Sequence, residues 1–517
     1  MIDKIIKKYN VNINGMIRNG TVAVITMFTV GILFGVKNIM LAFPIALTST
    51  VLGRQNLYVK PCSKMIRVLI LDLSIVTFAF ISSINIWSGI VINFIAIFLI
   101  MYTIISQYDP TFYKPFIMLY IFTQYTTVSI SELPERILSV ILGVTIVFLA
   151  SYIKKINEKI ILGNSVESSL ILIHAQIENI LNNNFDEKIK IKCSKIMSDL
   201  VYKVYVTRHK NYLTTNLGKF QFDMYLYIEH LNLYLKEIYK EYNYKKISVN
   251  EIKDFKYIIE LLIRYCKNEE KISNIIQYIN VFINENNGEC KYNIKLGEIL
   301  LGISSNVVSI EKINTKEINM VYEEWERSEL DRTKVIFKEY FNKDSIRFKF
   351  AMRMSITLTL ALLVSEFLGF YKVIWAVITI MSIMQPYYED TIKKAKDRIV
   401  GNIIAIIFTG VLINLINSKI VTIIILICAL YLLYGFKEYS RISLFAAIAS
   451  ICISSLSENV NTLIIYRVVY VVVGVLVVLL ANKFIFPYRL KDGITALIDK
   501  INMYLGYLLE CSIEYIN

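Results

Sequence analysis

Apolar residues gather in two sets of six runs, with a long charge-rich stretch between them. The first set falls near 17–36, 39–52, 65–84, 86–105, 114–130 and 134–153. The second falls near 348–369, 371–386, 398–417, 419–434, 441–457 and 462–486. A helix needs about 20 residues to cross a bilayer, so most of these runs read as spans. In the first set the second and fifth runs are short, and they contain Pro44 and Pro115. Such segments predict helices tilted inside the bundle or broken near a substrate path. Between the sets, apolar positions recur at helical spacing, as in KFQFDMYLYIEHLNLYLKEIYKEY and EINMVYEEWERSELDRTKVIFKEYF. No proline occurs between Pro134 and Pro386, which predicts an all-helical domain with short polar turns such as Asn182-Asn183-Asn184 and Asn286-Asn287-Gly288. The last stretch, 488–517, predicts an amphipathic helix lying at the membrane surface or docked on that domain.

The two sets share a register. Arg18 precedes Lys37 by nineteen residues, and Arg353 precedes Lys372 by nineteen. Arg67 and Arg398 are 331 apart, as are Arg136 and Arg467, and Gly143 and Gly474. A fixed offset held across six apolar segments predicts an internal duplication, a common way to build transporters.

Composition sharpens the class. Hydrophobic residues make up 55% of 517 and mean hydropathy is +0.52, values that require apolar surface against lipid. Charged residues still make up 19%, so part of the chain lies outside the membrane. The net charge of +14 sits largely in short loops beside apolar runs, as at Lys60, Lys64 and Arg67, or Lys393, Lys394, Lys396 and Arg398. That is the positive-inside pattern, and it sets aside a nucleic-acid partner. The segment MIDKIIKKYN, with no small-residue cleavage site before a long apolar run, reads as a retained cytoplasmic start. The fold class expected is all-α and polytopic: two parallel six-helix repeats, about 12 spans, flanking a helical cytoplasmic domain. The expected divisions are 1–15, a cytoplasmic N-terminal segment; 16–153, the first membrane block; 154–346, the cytoplasmic domain; 347–487, the second block; and 488–517, the C-terminal segment. Both termini and the central domain are expected in the cytoplasm of a cell (inner or plasma) membrane protein, and a homo-oligomer is compatible with this plan.

Candidate chemistry rests on charges near apolar runs. Arg18 and Arg353 open the first span of each block, where they either set topology by snorkelling or pair with an anion. Arg136 and Arg467 open the last span on the side expected to face outward, where positive charge is disfavoured, so each should be paired or face a cavity. Glu132 and Glu135 are the acids near Arg136, and Glu458 is the one near Arg467. Asp72, with apolar neighbours, is the best carboxylate for proton coupling; the competing reading pairs it with Arg67. Glu366 and Asp397 are lesser candidates. Seven scattered cysteines without a C-x-x-C pair, and three histidines outside the apolar runs, predict neither a disulfide framework nor a metal site. No Walker or G-x-S-x-G sequence occurs, so neither an ATP-driven pump, a cofactor site nor an enzyme is expected.

The second block carries a further pattern: Arg353, the Trp375-Ala376 step, Gln385-Pro386, Thr391 and Arg398-x-x-Gly401. It resembles the fusaric-acid-resistance-like (FUSC), or aromatic acid exporter, family. In the first block Met40 stands where Trp375 does and the Gln-Pro step is missing. The resemblance implies two six-span halves around a cytoplasmic domain and proton-driven efflux of aromatic carboxylic acids or related toxic compounds. Export of a small organic anion is therefore expected, with Arg18, Arg67, Arg136, Arg353, Arg398 and Arg467 attracting the carboxylate, Asp72 in proton coupling and Trp375 beside the path. The competing reading is a non-transporting membrane scaffold acting through its cytoplasmic domain.

Overall fold

The computed structural model describes residues 11–52, 61–104, 112–157, 164–207, 216–245, 247–267, 269–285, 291–311, 341, 343–369, 372–416, 418–436, 438–456 and 458–516. Lys4, Lys7, Lys8, Lys60, Lys159, His209, Cys290, the Asn286-Asn287-Gly288 turn and nearly all of the second amphipathic stretch lie outside the described residues. Within them the chain is helical, with no strand.

Each of the twelve apolar runs forms a helix. The first set gives α1 (Ile13–Phe34), α2 (Val36–Leu52), α3 (Pro61–Ser82), α4 (Ile86–Ile104), α5 (Lys114–Tyr125) and α6 (Leu133–Asn157). The intervening stretch gives α7 (Asn164–Leu181), α8 (Glu187–Thr207), α9 (Asn216–Asn243), α10 (Val249–Cys266), α11 (Ile272–Glu285) and α12 (Lys291–Glu311). The second set gives α13 (Ile346–Leu368), α14 (Ile374–Ile383), α15 (Tyr388–Ile416), α16 (Lys419–Gly435), α17 (Tyr439–Ser455) and α18 (Val460–Phe484), followed by α19 (Leu490–Ile516). Among the described residues six helices, α1, α3, α4, α6, α13 and α18, are long and apolar enough to cross a membrane. The isolated chain leaves Ile403, Ile407, Val411 and Leu415 of α15 and Ile465, Val472, Leu476 and Leu480 of α18 exposed. Such stripes at helical spacing are lipid-facing surface. The protein is a multi-pass membrane protein.

Two compact units emerge. Helices α1–α6 and α13–α19 form one, and α7–α12 form the other. In the membrane unit the two shortest helices are well enclosed: α14 buries nine of its ten residues, and α5 buries Pro115, Phe116, Ile117, Leu119, Tyr120 and Ile121. At about 1.5 Å per residue, α14 is roughly 15 Å long, half a hydrocarbon core. The blocks interlock. Helix α1 packs on α16, and α13 packs on α4, so the first helix of each block lies against the fourth of the other. Gly20 permits the first contact, since a Cβ there would stand 2.5 Å from Tyr431 Cδ1. Phe98 and Phe348 meet edge-on at 6.0 Å in the second. The offset glycines occupy matching contacts, Gly143 of α6 facing Ile45 of α2 and Gly474 of α18 facing Thr379 and Ala376 of α14. Both blocks turn their first corner on a left-handed glycine, Gly35 (φ 79°) and Gly369 (φ 57°), a conformation costly to any residue with a Cβ.

The second unit is an amphipathic-helix core. Phe220, Met224, Ile228, Leu231, Leu235 and Ile238 of α9 run down one buried face at three- and four-residue spacing. They join Ile173, Ile177, Leu200, Ile259, Leu262 and Leu300 from its neighbours. Tyr234 is buried there, whereas Tyr244 is 73% exposed, so the tyrosine-rich segment divides between core and surface.

Candidate functional site

The candidate residues separate into three kinds. Arg353 is a brace. Helix α14 ends at Ile383, and the Gln385-Pro386 step interrupts the backbone before α15 begins. A break inside a membrane protein leaves carbonyl and amide groups that only protein can satisfy. Arg353, fully buried on α13, donates from Nη2 to the Pro386 carbonyl at 2.8 Å and from Nη1 to Asn482 Oδ1 of α18. Tyr113 Oη donates to the Met384 carbonyl at 3.3 Å. The Gln385 amide donates to Thr391 Oγ1 at 3.1 Å, and Lys394 Nζ donates to Gln385 Oε1 at 2.7 Å. Arg353, Gln385-Pro386 and Thr391 thus meet at one discontinuity.

Whereas the buried Nε of Arg353 has no hydrogen-bond partner, Arg136 engages all three of its nitrogens. Its Nε donates to Asn38 Oδ1 at 3.2 Å, Nη1 to the Thr123 carbonyl at 3.3 Å and Nη2 to Thr126 Oγ1 at 3.2 Å. The acids expected beside Arg136 and Arg467 pair elsewhere. Glu132 lies within electrostatic reach of Arg136, but its ion pair is with Lys37 at 2.8 Å, and Glu458 pairs with Lys372 at 3.0 Å. Each lysine stands at the first corner of its block and reaches the segment leading into the last helix.

Arg467 and Arg398 differ from both. Arg467 is 2% exposed and donates from Nε to Asn402 Oδ1 at 2.9 Å. Its guanidinium lies over the Trp375 ring, 5.0 Å from the centroid. Arg398, 4% exposed and one turn before Asn402 on α15, has a buried Nε with no hydrogen-bond partner. Its charge and the Tyr439 hydroxyl both act on Arg467. Lys394 and Lys114 stand over the Tyr439 ring, 5.4 and 5.5 Å from its centroid. Among the described residues no carboxylate lies within 4 Å of either arginine; Asp397, next in sequence to Arg398, makes no ion pair. Gly401 holds the neighbourhood tight, since a Cβ there would meet the Ser440 carbonyl at 2.6 Å. The result is a buried cationic patch walled by Trp375 and Tyr439.

Asp72 lies apart. It is fully buried on α3, and neither carboxylate oxygen has a hydrogen-bond partner. The expected pairing with Arg67 fails for a simple reason: five residues along a helix rotate the side chain by about 140°. Arg67 is exposed while Asp72 points inward. Arg18 is half-buried and donates to Asn19 Oδ1 at 3.0 Å, and it is not brought to the patch. Glu366 is exposed at the end of α13. A polar cluster that sequence reasoning missed joins α3, α4 and α5: Tyr120 Oη donates to Asn93 Oδ1 at 2.6 Å, and Gln124 donates to both Ser82 and Asn93. Among the described residues no His/Cys/Asp/Glu group is arranged to hold a metal ion.

No curated protein and no solved structure shows significant similarity to the chain. Residues 360–481 match the fusaric acid resistance protein-like family. That segment contains Trp375, Gln385-Pro386, Arg398, Asn402 and Arg467, so the patch and the helix break both fall within it. Over this block the chain is similar to the fusaric acid resistance protein-like family.

Proposed function

We propose that the chain exports small aromatic or related organic acids, and that Arg398 and Arg467 bind the carboxylate while Trp375 and Tyr439 hold the ring. The observation that carries this reading is the pair of buried guanidiniums without an acidic partner. Buried charge is costly unless paired, and a like-charged pair more so. An anion entering between them supplies the missing counter-charge, and neighbouring aromatic faces give its apolar part a surface. Asp72 is the proton-coupling group in this proposal: an ionised carboxylate with no donor is costly in apolar surroundings, whereas the protonated acid is not. Twelve spans in two parallel repeats, with the termini and the second unit in the cytoplasm of the cell membrane, complete the scheme. The reciprocal α1–α16 and α4–α13 contacts and the matched glycines support the repeat.

The test is efflux of a fluorescent aromatic acid from loaded cells. Arg398→Gln and Arg467→Gln should each lower the efflux rate at least about tenfold, the size of effect expected when a charge-assisted contact of roughly 1.5–3 kcal/mol is lost. Wild-type efflux from either variant at normal membrane levels would overturn the anion role. It would leave the scaffold reading, which the separate core of the second unit favours.

A further inference from the structure

Helix α19 leaves apolar side chains exposed along most of its length. Its root is fixed: the Tyr388 amide donates to the Tyr488 carbonyl at 3.1 Å, and the Leu490 amide donates to Glu389 Oε2 at 3.0 Å. A Cβ on Gly493 would stand 2.7 Å from the Tyr387 ring. Beyond the root, apolar residues recur at alternating spacings of four and three: Leu490, Ile494, Leu497, Ile501, Tyr504, Leu508 and Cys511. This is a seven-residue repeat, with Ile494, Ile501 and Leu508 at a and Leu490, Leu497, Tyr504 and Cys511 at d, while Met503, Tyr507, Leu509 and Ile513 are exposed outside the seam. All seven are exposed, as are Ile498 and Leu505, which widen the stripe at e.

We propose that α19 pairs with α19 of a second copy of this chain as a parallel two-stranded coiled coil. Three observations select this occupant. The repeat is 3.5 residues, the period of a supercoiled seam and not of a helix lying on a flat surface. Isoleucine at a with leucine at d is the choice that favours two parallel strands. A lipid-lying helix is rich in Lys and Arg on its polar face, but α19 carries Lys491 and Lys500 against Asp492, Asp499, Glu510 and Glu514, which anionic headgroups would repel. The eight half-exposed apolar side chains from Leu490 to Leu508 present on the order of 800 Å² of surface, what one partner of a standard interface contributes.

In the parallel pair Cys511 faces its own copy across the seam, which gives a direct test with the full chain in membranes. A variant keeping Cys511 as its single cysteine, the other six replaced by alanine, should form a disulfide-linked dimer on mild oxidation. Moving the single cysteine to the outer f position, as Asp499→Cys with Cys511→Ala, should not. Because those alanines fall partly in buried sites, a second measurement uses the otherwise intact chain: Ile501→Asp with Leu508→Asp should halve the protein mass of the detergent-solubilised particle by light scattering. Equal crosslinking from Cys511 and from position 499, no crosslink at all, or an unchanged mass would each overturn the proposal.

Discussion

Four buried or half-buried arginines opening or flanking apolar segments look alike in sequence and do different work. Arg353 and Arg136 spend their donors on carbonyls and neutral side chains, so removing either leaves buried acceptors unsatisfied. Arg353→Ala or Arg136→Gln should lower thermal stability in detergent by the equivalent of about 1–3 kcal/mol. Arg398→Gln and Arg467→Gln relieve a like-charge contact instead, and their melting temperatures should hold or rise while efflux falls. A fall in stability matching that of Arg353→Ala would place them among the braces. Asp72→Asn should fold normally, since it exchanges an unpartnered carboxylate for an amide of the same size, and should abolish the dependence of efflux on the imposed proton gradient. An unaltered dependence would remove Asp72 from the coupling step. None of the arginine partners was legible beforehand. Asn38, Asn402 and Asn482 lie 98, 65 and 129 residues from the arginines they serve, and a neutral amide leaves no mark in a charge pattern. The acids nearest in sequence were misleading for the same reason: Glu132 and Glu458 answer the corner lysines.

At the scale of elements the pattern was more open to reading, because apolar runs of helical length are dictated by burial and lipid alone. All twelve runs became helices, and Gly143 and Gly474, 331 residues apart, each face the second helix of their own block. What length could not tell was that the second helix of the second block would stop after ten residues. Its run, 371–386, is apolar to the end, and only the Gln385-Pro386 step marks the break. The two glycine contacts differ in what surrounds them. An alanine at 474 would press its Cβ to 2.8 Å from Thr379 Cβ and 3.0 Å from the Ala376 carbonyl, both fixed parts of α14, whereas at 143 it would meet side-chain ends alone, Ile45 Cγ2 at 3.1 Å and Thr26 Cγ2 at 3.6 Å. Gly474→Ala should therefore cost about 1–3 kcal/mol by forcing α18 off α14, and Gly143→Ala distinctly less. Parallel melting curves of the two variants would check the order.

For the whole molecule the division into two units has a chemical readout. Burial pushes the thiols of Cys193 and Cys266 in the second unit up to about 11. Only the thiolate reacts with maleimide, and at pH 8 a thiol of that kind is ionised to about one part in a thousand. These two cysteines should stay unlabelled in the folded protein while the exposed Cys62 reacts. Their labelling should rise as the pH approaches 11 or when denaturant opens the unit. Rapid labelling of both at pH 8 would contradict a packed core.

The exchanged contacts also set a timetable for assembly. Thr21 of α1 and Tyr431 of α16, whose hydroxyls lie 3.1 Å apart, are separated by 410 residues. At about 5–20 residues per second of synthesis, α1 waits roughly 20–80 s for the surface it packs on. Throughout that interval the groove around Gly20 faces lipid or an insertion factor. A chain cut after the first block would keep that groove open for good, a standing mark by which quality control can recognise an unfinished protein.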